Sequence, residues 1–453
     1  MHPSTSAETD PLPWNRTLAG ALLFAWLAIT ICAYYILRPV RMALVLTAFG
    51  PAALPWIYMG TALFTGFAVW VYARFAHLPR RRLLPGVICF FLFNLIGLWW
   101  LARSGSTWVS PILYVWTDVF SIMSVTLFWM YATDVFPPEE AKASFGPISA
   151  AGMVGGVAGA WLTRYLVAQV GVESMLLLAA GIYSLILVCF AGLERLTGGR
   201  SAPRPKPVER FEEYGFGDLA SVARSLASSR TLSLLVVVVA FERFAPDFVD
   251  YIFSAAMHRA YPEKAAYAEV FASFEMWRNI VIFAASFLLT SRMLRRLGVH
   301  SAMTAVPLTI LIGCATFAAL PTLAVAVALK GLEEGQRHAW FKAGKEVVYS
   351  ATSTEVIYKA KAYIEMFVYR FARGAAGLAL LVLTQGLGFG PAGVALAALP
   401  VALAWAWATW SLGSLYEASQ AAASAAEAEA EAEEAAAAAD EAASGALPRP
   451  ASS

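Results

Sequence analysis

The sequence predicts an all-α membrane protein of about twelve transmembrane helices, arranged as two halves of six. Three observations carry that prediction. The 453 residues are 59% hydrophobic and only 14% charged, whereas a soluble domain carries about 25% charged residues. Apolar runs of about 20 residues, enough to cross the hydrocarbon core of a bilayer, recur along nearly the whole chain. Lys and Arg collect in alternate loops between those runs, and one long polar stretch divides the runs six and six.

Residues 1–16 form a polar N-terminus, "MHPSTSAETDPLPWNR". It lacks the basic start and cleavage site of a signal peptide, so the first apolar run is expected to stay as a span. The spans of the first half are expected at 17–37, 52–74, 83–102, 109–136, 145–170 and 173–194. Those of the second half are expected at 231–256, 267–291, 299–318, 321–347, 364–388 and 391–415. Basic loops follow the second span ("RFAHLPRRR"), the sixth ("RLTGGRSAPRPKPVER") and the eighth ("SRMLRRLG"). The intervening "GSTW", "GVES" and "GLGFGPAG" are nearly free of basic residues. The positive-inside bias then puts both termini in the cytoplasm, in what is expected to be a bacterial inner membrane.

The domain reading is a six-helix bundle over 17–194, a cytoplasmic linker over 195–230, a second six-helix bundle over 231–416, and an Ala/Glu-rich tail over 417–453. The linker is rich in Pro and Gly, and its "GFGDLASVARSLASS" has the pattern of a short amphipathic surface helix. A six-plus-six chain with a long cytoplasmic linker is the layout of a major-facilitator-like transporter, whose halves are parallel repeats. The tail has no apolar stripe, so it is expected to be solvated and partly helical.

Several chemistries find no support. No GxxxxGK[ST] is present for nucleotide hydrolysis, and neither HExxH nor a glycine-flanked nucleophilic serine occurs. The four cysteines lie in apolar runs without CxxC spacing and suit core positions. A transporter rather than an enzyme, with no cofactor, no nucleic-acid partner and a monomeric state, is expected. The glycines of "GMVGGVAGAW" (Gly152, Gly155, Gly156, Gly159) form two overlapping GxxxG spacings, which fit close helix packing.

The charges inside the spans point to function. A charge at membrane depth costs at least about 2.5–3.5 kcal/mol and normally faces a cavity or a partner. In "KGLEEGQRHAWFKAGKE", at 100° per residue, Lys330, Glu333, Glu334, Arg337, Phe341 and Lys345 share one helix face, with Lys342 and Glu346 further round. That face reads as cavity-lining; a Glu333–Arg337 ion pair at i,i+4 is the structural alternative. Arg38 and Arg41 stand towards the outer end of the first span, against the positive-inside bias. The seventh span carries Glu242, Arg243, Asp247 and Asp250, with Pro246 expected to kink it. Glu275 and Arg278 lie at i,i+3 in the eighth span, and Asp118 lies in the fourth. A cavity with several Arg and Lys suits a polyanionic solute such as a phosphate ester, because guanidinium binds phosphate oxygens bidentately. The carboxylates would hold those cations when the site is empty, or bind co-transported protons.

These stretches resemble the ATP/ADP translocases, the nucleotide transporter family of plastids and intracellular bacteria. The first-span pattern stands as Arg38, Arg41 and "LVLT". The fourth-span pattern stands as "LFWMYATDVFPPEEAKASFG" (Leu127 to Gly146). The seventh-span acid before a Tyr-Pro matches Asp250 before Tyr261–Pro262. The tenth-span pattern matches Arg337, Lys345, Glu346 and Tyr349, with a following K-x-K at Lys359 and Lys361. The resemblance covers about residues 30–415. Met42 stands where the family has an acid, and Thr117, beside Asp118, stands where it has a glutamate. The resemblance implies a major-facilitator-like fold and exchange of adenine nucleotides across the membrane. Arg38, Arg41, Arg337 and Lys345 would contact phosphate, Asp118, Glu242 and Asp250 would orient those cations or the ribose, and Glu346 is a further substrate-binding candidate. The aromatic that stacks on the base is not determined by the sequence. Proton-coupled transport of another organic anion, and a non-transporting receptor or scaffold, are the alternatives.

Overall fold

The computed structural model describes residues 16–75, 80–136, 138–198, 230–350 and 364–445, and every regular element among them is helical. The first half comprises α1 (Arg16–Phe49), α2 (Leu54–Phe75), α3 (Arg80–Arg103), α4 (Val109–Val135), α5 (Pro138–Val170) and α6 (Ser174–Leu196). The second comprises α7 (Arg230–Ala260), α8 (Lys264–Leu288) and α9 (Thr290–Ala319), the last kinked at Gly298. It continues with α10, which runs from Leu323–Gln336 through a π-helical turn at Arg337–Phe341 into Lys342–Ser350. Next comes α11, a helix at Tyr369–Leu381 flanked by π-helical turns at Ile364–Val368 and Val382–Gly386. Last is α12 (Pro391–Gly445).

Eight of these helices are apolar and long enough to span a bilayer by length and composition. Helix α2 is likewise apolar and carries no charge from Leu54 to Val71, whereas α7, α10 and α11 are different. In α7 the charges at 242–250 lower the hydropathy, and α10 and α11 are further broken by π-helical turns. The elements with the weakest membrane signal therefore include those that carry most of the intramembrane charges.

The helices pack where small residues allow it. A Cβ at Gly155 or Gly159 of α5 would collide with the Ala28 or Cys32 carbonyl of α1, so these glycines set the α1–α5 approach. Gly156 meets Asn279 of α8, and Gly377 of α11 lies against Pro55 and Met59 of α2. The two halves thus meet along α1 and α5 with α8, and along α2 with α11. Gln385 donates to the Ala52 carbonyl at 3.0 Å, and Lys264 pairs with Glu173, so the halves touch at the end that carries those loops. α1 extends to Phe49, well past the expected limit of the first span, which brings Arg38 and Arg41 into regular helix. Helix α12 continues through the alanine-rich tail to Gly445, and its described side chains from 418 to 432 are exposed. The N-terminal residues 1–15 and the linker residues 199–229, with the expected amphipathic helix, lie outside the described residues.

Candidate functional site: a charged cavity between the halves

Helical spacing aims the charges at one place. Arg38 and Arg41 of α1 stand at i,i+3. Arg243, Asp247 and Asp250 of α7, and Lys330, Glu334 and Arg337 of α10, stand at i, i+4 and i+7. With Tyr114 and Asp118 of α4, Phe271 of α8 and Arg373 of α11, they line a polar cavity of about 130 Å³ between the halves. A larger crevice of about 820 Å³ between α2, α3 and α4 is walled by residues such as Trp56, Phe64, Phe90 and Trp108. It offers no charge to an anion.

The cavity wall is an ion-pair lattice. Arg41 reaches Asp118 at 2.6 Å and lies over the Tyr114 ring at 4.1 Å. Arg373 reaches the other Asp118 oxygen at 3.2 Å, across the halves. Arg38 also crosses, to Glu275 at 2.9 Å and Glu334 at 3.5 Å. Behind it, Arg278 links Glu275 and Glu334, each at 2.5 Å, and donates to the Tyr35 hydroxyl at 2.8 Å. Lys330 reaches Asp250 at 2.9 Å and Glu334 at 3.1 Å, while the Tyr58 hydroxyl donates to Asp250 at 2.7 Å. Arg243 pairs with Asp247 at 3.0 Å, and Arg337 with Glu333 at 2.6 Å. The lattice thus joins seven cations to six carboxylates.

The cations are not fully used. The Nε–H groups of Arg41, Arg243 and Arg373 are buried without a hydrogen-bond partner. A buried unpaired donor costs about 1–3 kcal/mol, more when charged, so three of them on one cavity wall mark a site that gains by taking an acceptor. Guanidinium forks suit an oxyanion with several oxygens.

Of the sequence candidates, Arg38, Arg41, Asp118, Asp250 and Arg337 all line this cavity. Arg337 holds Glu333 through Nε and also lines the wall. Lys345 and Glu242 do not line it. They pair with each other at 2.5 Å, both buried. The expected single face assumes a regular 100° step, but the π-helical turn at Arg337–Phe341 interposes an extra residue and rotates the helix beyond it. Phe341 accordingly packs on Trp405 and Lys345 turns to α7. Glu346 is half-buried and also off the cavity wall. Lys359 and Lys361 lie outside the described residues. Sequence reasoning puts Lys330 and Glu334 on the face read as cavity-lining without giving them a substrate role, and places Arg243 and Asp247 within the seventh span without assigning them to the site. It passes over Arg373, whose one signal is a guanidinium inside the apolar "YRFARGAAGLALL". Tyr34, Tyr114 and Phe271 are the aromatics on the wall.

Residues 61–416 match the profile of the TLC ATP/ADP transporter family. The chain belongs to this family. Its similarity to a curated relative, ADP,ATP carrier protein 3 of Rickettsia felis, is 21% identity over 318 residues, 60% of this chain and 62% of that one. The match therefore spans less than two thirds of that relative's length. Among solved structures the chain resembles a mutant form of the nucleoside transporter NupG with a TM-score of 0.64 at 12% identity, covering 87% of this chain and 99% of that one. A bacterial homologue of the iron transporter ferroportin, in its inward-facing state, matches with a TM-score of 0.62 at 13% identity, over 86% and 99% of the two chains. At such identities the likeness establishes the fold: two six-helix halves of the major facilitator type.

Proposed function

We propose that this protein carries a nucleotide, in exchange for another, across a membrane by alternating access, with the charged cavity as its binding site. The observation that carries the reading is the convergence of Arg38, Arg41, Arg243, Lys330, Arg337 and Arg373 on one cavity between two halves. Membership in the TLC family and the name of the Rickettsia relative support a nucleotide as the anion. The phosphates would replace carboxylates as partners of Arg38, Arg41, Arg337 and Arg373, with Asp118 and Asp250 positioning those cations. Because Arg38 and Arg373 bridge the halves, an anion that takes over these cations also loosens the links that hold the halves together. The alternation of basic loops supports cytoplasmic termini, and the proposed location is a bacterial inner membrane. The transporting unit of this reading is a monomer.

The test is counterflow. Proteoliposomes loaded with unlabelled ATP should take up labelled ADP, and Arg38→Ala should slow uptake at least tenfold. Equal uptake by loaded wild-type and protein-free vesicles would refute the reading.

A further inference from the structure

Two features have no part in the charged cavity, and they meet: the basic segment after the second span, and the apolar crevice between α2, α3 and α4. Helices α2 and α3 follow one another with residues 76–79 between them, and consecutive helices usually pack together. Here α3 packs on α4 and α6, and among the described residues it meets α2 at isolated points at most. The space left is the crevice of about 820 Å³, whose walls include Gly60, Phe64, Phe90 and Trp116. A void of that size forfeits dispersion contacts all round its wall, which favours a filled state. Phe64 and Phe90 are each more than half exposed on helices that lie in hydrocarbon, so the bilayer is what reaches them. Along α2 the crevice runs from Trp56 to Val71, 15 residues (71 − 56) or about 22 Å at 1.5 Å per residue. One leaflet is about 15 Å deep, half of a ~30 Å hydrocarbon core, so a whole acyl chain fits lengthwise.

One end of the crevice adjoins a concentration of positive charge. Its wall reaches Val71 of α2 and Leu83 of α3. Arg74, which is exposed, stands one turn beyond Val71, and Arg80, Arg81 and Arg82 open α3 immediately before Leu83. These four arginines fall within the nine positions 74–82, on the side that the positive-inside bias makes cytoplasmic. Such clusters attract anionic lipid headgroups. We propose that the crevice holds an acyl chain of an anionic phospholipid from the cytoplasmic leaflet, with its phosphate at the basic segment between α2 and α3. The chain braces α2 from its outer face. On the inner side Tyr58, next to the crevice residue Ile57, donates to Asp250 at 2.7 Å. Trp56, itself on the crevice wall, donates to Gln385 of α11 at 3.4 Å. A filled crevice thus supports the helix that ties the first half to the second. The lipid site is separate from the charged cavity, and its occupancy does not depend on what that cavity carries.

The test uses purified full-length protein, delipidated in detergent, with dioleoyl phosphatidylglycerol and dioleoyl phosphatidylcholine as probes. Each arginine near the surface contributes about fivefold in anionic-lipid affinity, so native mass spectrometry should show wild type preferring phosphatidylglycerol by more than about tenfold. The triple variant Arg80→Gln, Arg81→Gln, Arg82→Gln should bring that preference below about fivefold, the share left to Arg74. Phosphatidylglycerol carrying a diazirine on its acyl chain should label crevice residues such as Phe64 and Phe90, read by peptide mass spectrometry. The same lipid should raise the melting temperature of wild type. Ala68→Trp and Val87→Trp fill the crevice from its α2 and α3 walls. Either variant that elutes as a single folded species should lose both the crevice label and the gain in melting temperature. Equal retention of the two lipids by wild type, or a label spread evenly over all lipid-facing helices, overturns the proposal. So does a tryptophan variant that keeps the wild-type labelling.

Discussion

Arg337→Ala separates binding from stability, because the structure gives this side chain both tasks. Its Nε holds Glu333 at 2.6 Å, and its Nη2 stands 3.8 Å from Glu334, too far for a hydrogen bond. The outer part of the fork is thus available to the cavity. Each charge-assisted phosphate contact contributes about 1.5–3 kcal/mol, so losing one should weaken ADP binding by roughly 10- to 150-fold. Glu333 is fully buried, and stranding it should cost about 3–5 kcal/mol of stability. Adding Glu333→Gln removes the stranded charge and should recover most of that stability without recovering affinity. Arg337→Lys should restore part of the affinity, since an ammonium cannot reproduce the fork. Titration calorimetry with ADP and thermal melting, on both single variants and the double variant, read the two effects separately. A lowered melting temperature with wild-type affinity would refute the assignment of Arg337 to the anion.

Three further outcomes are expected from the same packing. Arg373→Ala removes both a cross-half ion pair to Asp118 and an unpaired Nε–H, so calorimetry should show ADP affinity falling at least tenfold. Lys345→Ala strands Glu242 away from the cavity, and should lower the melting temperature while leaving ADP affinity within about twofold; a tenfold affinity loss would return Lys345 to the site. Gly155→Leu drives a side chain into the Ala28 carbonyl of α1, and should cut the yield of folded protein in detergent, measured by size-exclusion chromatography.

Much of this architecture was legible because a bilayer imposes a simple rule: apolar runs of fixed length must be helices. The same rule made Arg38, Arg41, Asp118, Asp250 and Arg337 conspicuous, since charges at that depth need a reason. Lys345 shows where the rule ends. Its expected place on the cavity face depends on helical phase, and a five-residue π-helical turn changes that phase with no mark in the sequence. Arg373 shows a second limit. This guanidinium in a largely apolar helix has its partner, Asp118, 255 positions away in the chain (373 − 118), in the other half. Only the packing of α11 against the first half brings them together.

The central claim is that this cavity binds through phosphate charge, and a graded series of ligands tests it most directly. Calorimetric titration of purified protein with adenosine, AMP, ADP and ATP should show affinity rising with each added phosphate, by about tenfold or more per new charge-assisted contact. Adenosine should bind weakly or not at all. Arg38→Ala should flatten the series. Adenosine binding as tightly as ATP, or a series unaltered by Arg38→Ala, would contradict the account.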